Sequence, residues 1–313
     1  MIGTKLRLLV LMRNTMRWIM AKAVFGLLAL LHLMPADSAL KSLSWMARKI
    51  GPFLGRNTVA IDNLDLALPN LSKTERQTIA SDMWENMARL AGEYVFLDDM
   101  FDLVPSNPEA GRIEVVGVDI FERLRHDKKP KIFITAHMGN FELLPIAAAT
   151  FGLNVTAMFR PPNNPYIAER ILAARKTRMG HLVPSKAGAA ISLARILDAG
   201  GNIGVLVDQK FNNGLETTFF GEPCLTSPLV AKLARQYDCD IYPAFCIRLP
   251  NGRFRLTLED RLQIPKDSTG KVEQLALMQS INDHVENWVR AHPGQWMWFH
   301  KRWKIRTSRR PRT

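Results

Sequence analysis

The sequence predicts an α/β fold in which a central, mostly parallel sheet is covered by helices and preceded by a helical N-terminal lobe. Three observations support this prediction. From Arg112 onward, short apolar runs alternate with segments of helical periodicity, as in parallel strands joined by helices. Between residues 58 and 101 the apolar positions instead recur every three or four residues. With 313 residues, of which 47% are hydrophobic, the chain can bury a substantial core.

The predicted elements follow one another along the chain. In the lobe, Ser72 and Glu75 have the spacing of a capping box, which indicates the start of a helix. Short apolar runs predict strands at 113–117, 131–136, 153–159, 202–208, 241–247 and 254–259. Helical patterns between and after them predict helices at 165–178, 187–199, 227–237 and 271–291.

The predicted organisation is one folded domain with a basic region at each end. The domain spans residues 57–300, with its helical lobe at 57–111 and its α/β core at 112–300. A basic region at 1–56 precedes it, and a basic tail at 301–313 follows it.

A hydrophobic segment at residues 18–34 predicts a membrane anchor. Its length matches the roughly 17–25 residues that cross a bilayer, provided that Lys22 reaches back to the headgroups. Basic residues lie on both sides of the segment, so the positive-inside rule gives no clear orientation. An amphipathic core helix and a cleaved signal peptide are the alternatives, although the long basic lead argues against cleavage.

The formal charge of +13 is concentrated at the two ends of the chain. Residues 1–56 hold nine Lys and Arg against one acid, and residues 295–313 hold seven and no acid. Basic ends beside an apolar segment favour an anionic membrane surface, at ~1 kcal/mol per cation, over a nucleic acid. The three cysteines lack CxxC spacing and no HExxH is present, so we expect a reducing environment, no metal and no cofactor.

The segment KIFITAHMGNFELLP at residues 131–145 carries the most informative chemistry. His137 ends a predicted strand, at the edge where open α/β sheets place their active sites. Residues five apart on one helix would point about 140° apart, so His137 and Glu142 must flank a turn, which Gly139 can form. Asn140 could then cap the next helix, with Glu142 in its first turn. This arrangement allows a histidine base oriented by a carboxylate, although purely structural roles would leave the same pattern.

Other candidate residues also end predicted strands. Arg160 follows one strand and precedes a proline-rich loop, which would hold its side chain at the same sheet edge as His137. It could stabilise an oxyanion or bind a lipid phosphate. Asp208 and Gln209 end another strand and could line the site, and Lys210 could bind an anionic substrate group. Ordinary structural or surface roles are the alternatives for each.

Several blocks of the chain, in order, resemble the bacterial lipid A biosynthesis late acyltransferases, the lauroyl and myristoyl transferase family. The hallmark of that family is His-x4-Asp/Glu, which His137 and Glu142 match. The further matching blocks are NLDLALPNLSKTER at 63–76, FRPPNNP at 159–165, GVLVDQKFNNG at 204–214, FFGEPCLTS at 219–227 and QWMWFHKRWK at 295–304.

The resemblance implies a glycerolipid acyltransferase-like fold and an enzyme at the cytoplasmic face of the bacterial inner membrane. Such an enzyme moves an acyl chain from acyl carrier protein to the 3-hydroxyl of an acyl chain on a lipid A precursor. His137 would be the general base, and Glu142 would hold its tautomer and stabilise the imidazolium, with no acyl-enzyme. The substrate-binding candidates are Asn140, Arg160, Asp208, Gln209 and Lys210.

Two other functions fit the same residues. A glycerolipid or lysophospholipid acyltransferase that uses acyl-CoA or acyl carrier protein shares the His-x4-Asp/Glu pattern, although the NLDLALPN and DQKFNNG blocks favour lipid A. A non-catalytic peripheral membrane scaffold would give the two residues a structural role. The aromatic and basic block at 295–304 suits either a membrane headgroup interface or the protein core.

Overall fold

The computed structural model describes residues 2–94, 96, 101–102, 111–159, 161–176, 181–185 and 188–304. Within these residues, a helical N-terminal lobe packs against a mostly parallel sheet that helices flank. The predicted α/β class and helical lobe are therefore confirmed.

The lobe consists of helices joined by short turns: α1 (Ile2–His32), α2 (Ala36–Ile50), α3 (Gly55–Ala67) and α4 (Lys73–Glu93). The predicted capping box begins α4. The Ser72 hydroxyl accepts the Glu75 backbone N–H at 3.2 Å, and the Glu75 carboxylate accepts the Ser72 backbone N–H at 2.7 Å. Helix α4 packs along α2 and also contacts the C-terminal block of the chain.

Helix α1 has the length and apolar composition of a membrane span over Leu6–His32, and it is the one such helix in the described part of the chain. Only 11% of its most apolar window is buried. This exposure contradicts the alternative of an amphipathic core helix, because a core helix would bury one face.

The main sheet contains β1 (Ile113–Val116), β2 (Lys131–Thr135), β3 (Val155–Phe159), β4 (Leu182–Pro184), β5 (Asn202–Leu206), β8 (Asp240–Arg248) and β9 (Phe254–Leu258). Its order is β1-β9-β8-β2-β5-β3-β4. Neighbouring strands are parallel except for β8 and β9, which a short turn joins as an antiparallel pair. A separate hairpin is formed by β6 (Lys210–Phe219) and β7 (Glu222–Thr226).

Helices cover both faces of this sheet: α5 (Val118–His126), α6 (Leu143–Thr150), α7 (Pro165–Lys176), α8 (Ala189–Asp198), α9 (Leu229–Gln236) and α10 (Gln274–Ala291). Helices α5 and α6 share one apolar cluster with β1, β8 and β9. Helices α8, α9 and α10 share another with β2, β5 and the lobe helices α3 and α4. Side chains alternate along β2, so Ile132 and Ile134 join the second cluster while Phe133 packs against the first.

Each predicted strand is present, with its ends shifted by at most two residues. The predictions did not include β4 or the β6–β7 hairpin. Strand β6 begins with the polar sequence KFNNG, much of which is exposed, so it lacks the apolar run by which the other strands were recognised.

The aromatic residues of the C-terminal block lie in the core. Trp296, Trp298 and Trp303 are buried and pack edge-on or stacked against Phe219 and Phe220 of the hairpin. The core interpretation of this block is therefore confirmed, and its interpretation as a membrane interface is wrong.

Arg302 is also fully buried, where it joins the hairpin to α10. Its guanidinium donates to the Leu225 carbonyl at 2.9 Å, the Thr226 hydroxyl at 2.8 Å and the Asn282 side-chain oxygen at 3.1 Å. The predicted tail boundary at residue 301 is therefore too early, because Arg302 and Trp303 belong to the core. Residues 305–313 of the predicted tail lie outside the described residues.

Candidate active site

The candidate site lies where β2 and β5 end. These two strands are parallel neighbours, so their carboxyl ends meet at one edge of the sheet. His137 comes two residues after the end of β2, and Asp208 comes two residues after the end of β5. The fold therefore brings together two predicted site residues that are 71 positions apart.

Asp208 accepts two hydrogen bonds from His137. One carboxylate oxygen lies 2.8 Å from the imidazole Nδ1, and the other accepts the backbone N–H at 3.0 Å. The indole N–H of Trp296 donates to the second oxygen at 2.8 Å. Asp208 is only 3% exposed. Its burial opposes ionisation, but the charge of His137 and these hydrogen bonds outweigh it and lower the pKa of Asp208 to about 2.

The ionised carboxylate determines which imidazole nitrogen carries the proton. A carboxylate can only accept hydrogen bonds, so Nδ1 of His137 must donate. In the neutral imidazole, Nε2 then holds the free lone pair that a general base requires. The side-chain amide nitrogen of Gln209 lies 3.3 Å from this Nε2, and the Phe141 ring packs edge-on against the imidazole.

Glu142 lies in the same cavity wall as His137. It is buried and occupies the N-cap position of α6, which begins at Leu143. The carboxylate within hydrogen-bond distance of Nδ1 is that of Asp208. The orienting role of Glu142 therefore stays a prediction, and Asp208 is a second candidate for it.

Asn140 does not cap α6, contrary to the prediction. The cap position is Glu142, and no side chain caps this helix end. Asn140 lies two positions earlier, in the turn, where its backbone carbonyl accepts the Leu143 N–H at 3.1 Å. Its side chain is buried and donates to Glu93 of α4 at 2.7 Å.

Buried polar side chains of α4 hold this turn in place. Glu93 accepts from Asn140 through one oxygen and forms an ion pair with Arg248, at the end of β8, through the other. Asn86 accepts from Arg248 at 2.6 Å and donates to the Gln295 carbonyl at 3.0 Å. Sequence reasoning missed Asn86 and Glu93. Their signal was polar residues seven positions apart on the helix face that also carries apolar core residues.

Gly139 forms the turn, as predicted. Its φ is +53°, and a Cβ at this position would overlap the carbonyl oxygen of Cys246 in β8. Its backbone N–H donates to the Gln295 carbonyl at 3.1 Å. Only glycine combines this conformation with so close an approach to the neighbouring strand.

The remaining candidates are Lys210 and Arg160. Lys210 begins β6, and its backbone N–H donates to Nε2 of His300 at 3.1 Å. Burial lowers the pKa of His300 to about 4, which keeps this imidazole neutral and able to accept. The residue lines a second cavity, between the hairpin and the C-terminal block, and not the one that contains His137. Arg160 lies outside the described residues.

An apolar cavity of about 190 Å³ extends from His137 into the space between α6 and the sheet. His137, Glu142 and Thr135 contribute polar groups near the carboxyl edge. The rest of the lining is largely apolar and includes Phe121, Phe133, Ala148, Gly204, Ala244 and Leu258. A cavity of this kind suits a long apolar ligand whose reactive end lies beside the imidazole.

The described residues include no group of three or more His, Cys, Asp or Glu that could hold a metal ion. The cysteines are buried, and burial raises the pKa of Cys239 to about 11 and that of Cys246 to about 12. Neither thiol is therefore suited to act as a nucleophile at neutral pH.

Comparison with known proteins gives one family. The family model described as bacterial lipid A biosynthesis acyltransferase matches residues 8–305. Lipid A biosynthesis acyltransferase 2 of Shigella flexneri is 27% identical over 272 residues, which cover 83% of each chain. The lipid A biosynthesis myristoyltransferase of Escherichia coli (strain K12) is 24% identical over 86% of this chain and 81% of its own. The lauroyltransferase of the same strain is 23% identical over 78% of each.

The close approach at Gly139 predicts the effect of a methyl group there. We expect Gly139→Ala to lower the free energy of unfolding by more than about 2 kcal/mol, because positive φ and backbone overlap both oppose the side chain. Gly221→Ala is a matched control, since Gly221 also has positive φ but open space around it. The control should cost only about 1 kcal/mol. Denaturant unfolding compares the two, and equal losses would contradict the role of the Cys246 contact.

Asp208 makes stability depend on pH in a defined direction. Its folded pKa of about 2 lies below the ordinary 3.8, so its contribution is present above about pH 4 and is lost as pH falls through 2. Asp208→Asn lacks this component. The difference in unfolding free energy between wild type and variant should therefore shrink by about 1 kcal/mol from pH 6 to pH 3. Urea unfolding at each pH measures it, and parallel curves would be the contrary result.

Proposed function

The chain belongs to the bacterial lipid A biosynthesis acyltransferase family, and from this premise we propose the reaction that it catalyses. It transfers a fatty acyl chain from acyl carrier protein to the 3-hydroxyl of an acyl chain on a lipid A precursor. That the chain is an acyltransferase follows from the family match and from the names of its relatives. The donor and the acceptor hydroxyl are the finer parts of the proposal.

One observation carries the proposal. A histidine whose Nδ1 is held by a buried, ionised aspartate lies at the polar end of an apolar cavity. The imidazole offers its Nε2 lone pair to a hydroxyl, and the cavity offers space for an acyl chain. A hydroxyl nucleophile and a long apolar substituent are the two features that acyl transfer between lipids brings together.

The proposed reaction needs no covalent enzyme intermediate. Nε2 of His137 removes the proton from the acceptor hydroxyl as its oxygen attacks the thioester carbonyl carbon. An ester C–O bond forms, the C–S bond breaks, and the proton passes from the imidazolium to the leaving thiolate. The negative charge of Asp208 stabilises the imidazolium while it exists.

Glu142 and Asp208 compete for one role in this scheme. The resemblance assigns the orienting carboxylate to Glu142, whereas the 2.8 Å contact with Nδ1 supports Asp208. We propose that Asp208 orients the imidazole and that Glu142 acts from the cavity wall. Gln209, beside Nε2, would release that nitrogen when the acceptor hydroxyl binds.

The proposed location is the cytoplasmic face of the bacterial inner membrane. The length and exposure of α1 support a membrane anchor, and the nine cations in residues 1–56 favour an anionic leaflet. The same cations would attract an acidic carrier protein. The lipid A names of the relatives favour a lipid A-type acceptor over a glycerolipid, and the family match argues against a non-catalytic scaffold.

Substitutions of the three ionisable residues test this mechanism. His137→Ala should lower turnover at least ~10²-fold, because general-base catalysis typically contributes 10²–10⁴. Asp208→Asn should lower it about 10³-fold by releasing the tautomer, and Glu142→Gln should have a smaller effect. The assay follows labelled acyl transfer from acyl carrier protein to purified lipid A precursor, with circular dichroism to verify folding.

Two results would contradict these assignments. Near-wild-type turnover in folded His137→Ala would remove the general base. A larger loss in Glu142→Gln than in Asp208→Asn would return the orienting role to Glu142.

The cavity predicts a change in donor preference. Ala148→Leu fills the space between α6 and the sheet, so it should exclude roughly two methylenes of the acyl chain at ~0.8 kcal/mol each. The kcat/KM ratio of longer to shorter donors should then fall about 10-fold. Ala149→Leu, at the exposed next position of α6, is the control and should leave the ratio unchanged. An unchanged ratio in Ala148→Leu would place the acyl chain elsewhere.

A further inference from the structure

An exposed apolar patch covers the outer side of α2 and the turn that follows it. It consists of Trp45, Met46, Ile50, Phe53 and Leu54, and we call it the α2 patch. Trp45 is 67% exposed and Phe53 is 88% exposed. Large apolar side chains grouped in this way on a protein surface indicate a contact with a membrane or another protein.

The α2 patch is not needed to hold α2 in the fold. The opposite side of the helix buries Leu40 and Leu43, which pack closely against Gly92 of α4. Arg48 adds ion pairs at 2.5 Å to Asp82 and Glu85 of α4. Helix α2 is thus fixed to the lobe by one side, and its outer side still presents apolar residues to the solvent.

The surroundings of the α2 patch favour a lipid surface as its occupant. Three residues separate α2 from α1, the helix long and apolar enough to cross a bilayer, and the two helices contact each other. Lys41, Lys49 and Arg56 are exposed around the patch. Aromatic side chains interleaved with cations are typical of segments that lie at the headgroup level of an anionic membrane.

The acidic group nearest to these cations in sequence is already paired. Asp37 is the acid of residues 1–56, and its carboxylate lies 2.8 Å from the Arg112 guanidinium. The rim of the α2 patch is therefore positively charged, which complements anionic lipid headgroups.

We propose that the α2 patch inserts into the headgroup region of an anionic bilayer and forms a second membrane contact beside α1. A single helix leaves the domain free to swing about its anchor, whereas two contacts fix its orientation. The contact also lies close to the catalytic turn in the structure. Gly92, against which α2 packs, precedes Glu93, which holds Asn140.

The test places a fluorophore in the α2 patch. The native cysteines are buried, so an environment-sensitive maleimide dye attaches selectively to an introduced surface cysteine. The full chain carrying Phe53→Cys is labelled and reconstituted into vesicles of phosphatidylethanolamine with about one third phosphatidylglycerol. Ile191→Cys is the control, because Ile191 is an exposed apolar residue on α8 of the α/β body.

We expect the dye at residue 53 to be blue-shifted in the vesicles and quenched by lipids spin-labelled near the headgroup. Quenching by aqueous iodide should be several-fold weaker at residue 53 than at residue 191. Equal iodide quenching at the two positions would overturn the proposal. Protection that persists in detergent and rises with protein concentration would also overturn it, in favour of a second copy of the chain. Neither readout depends on acyl transfer, so the result stands apart from the proposed reaction.

Discussion

The pair of hydrogen bonds between His137 and Asp208 is the contact on which the site depends. It joins the ends of two adjacent parallel strands and determines which imidazole nitrogen is free to accept a proton. Asp208 can remain ionised while buried because its oxygens accept from the imidazole, the backbone N–H and the indole of Trp296. The tryptophan-rich C-terminal block therefore contributes directly to the electrostatics of the site.

The helical lobe supports the same site from the other side. Glu93 and Asn86 of α4 bind the catalytic turn and the segment before Trp296, and Arg248 links them to β8. A buried network of this kind is costly unless every member is paired, so it defines one arrangement of the turn. In the proposed scheme α4 also carries α2, so the membrane contact and the imidazole are positioned by one helix.

The local pattern of the sequence predicts much of this arrangement. Alternating apolar runs predict the sheet, and polar residues at strand ends predict that His137, Asp208 and Gln209 meet at its edge. The pairing of His137 with Asp208 was not predictable, because it depends on strand order over 71 positions and not on local spacing. The burial of Arg302 was missed for a similar reason, since its partners lie on the hairpin and α10.

The protonation of one nitrogen tests the central claim most directly. Nitrogen NMR of histidine-labelled protein, with the His137 signal assigned from a His137→Gln variant, identifies which ring nitrogen carries hydrogen in the neutral imidazole. We expect the proton on Nδ1, a bare Nε2, and a mixture of tautomers in Asp208→Asn. A proton on Nε2 in the wild type, or a tautomer that Asp208→Asn leaves unchanged, would contradict the claim that Asp208 holds this histidine as the base.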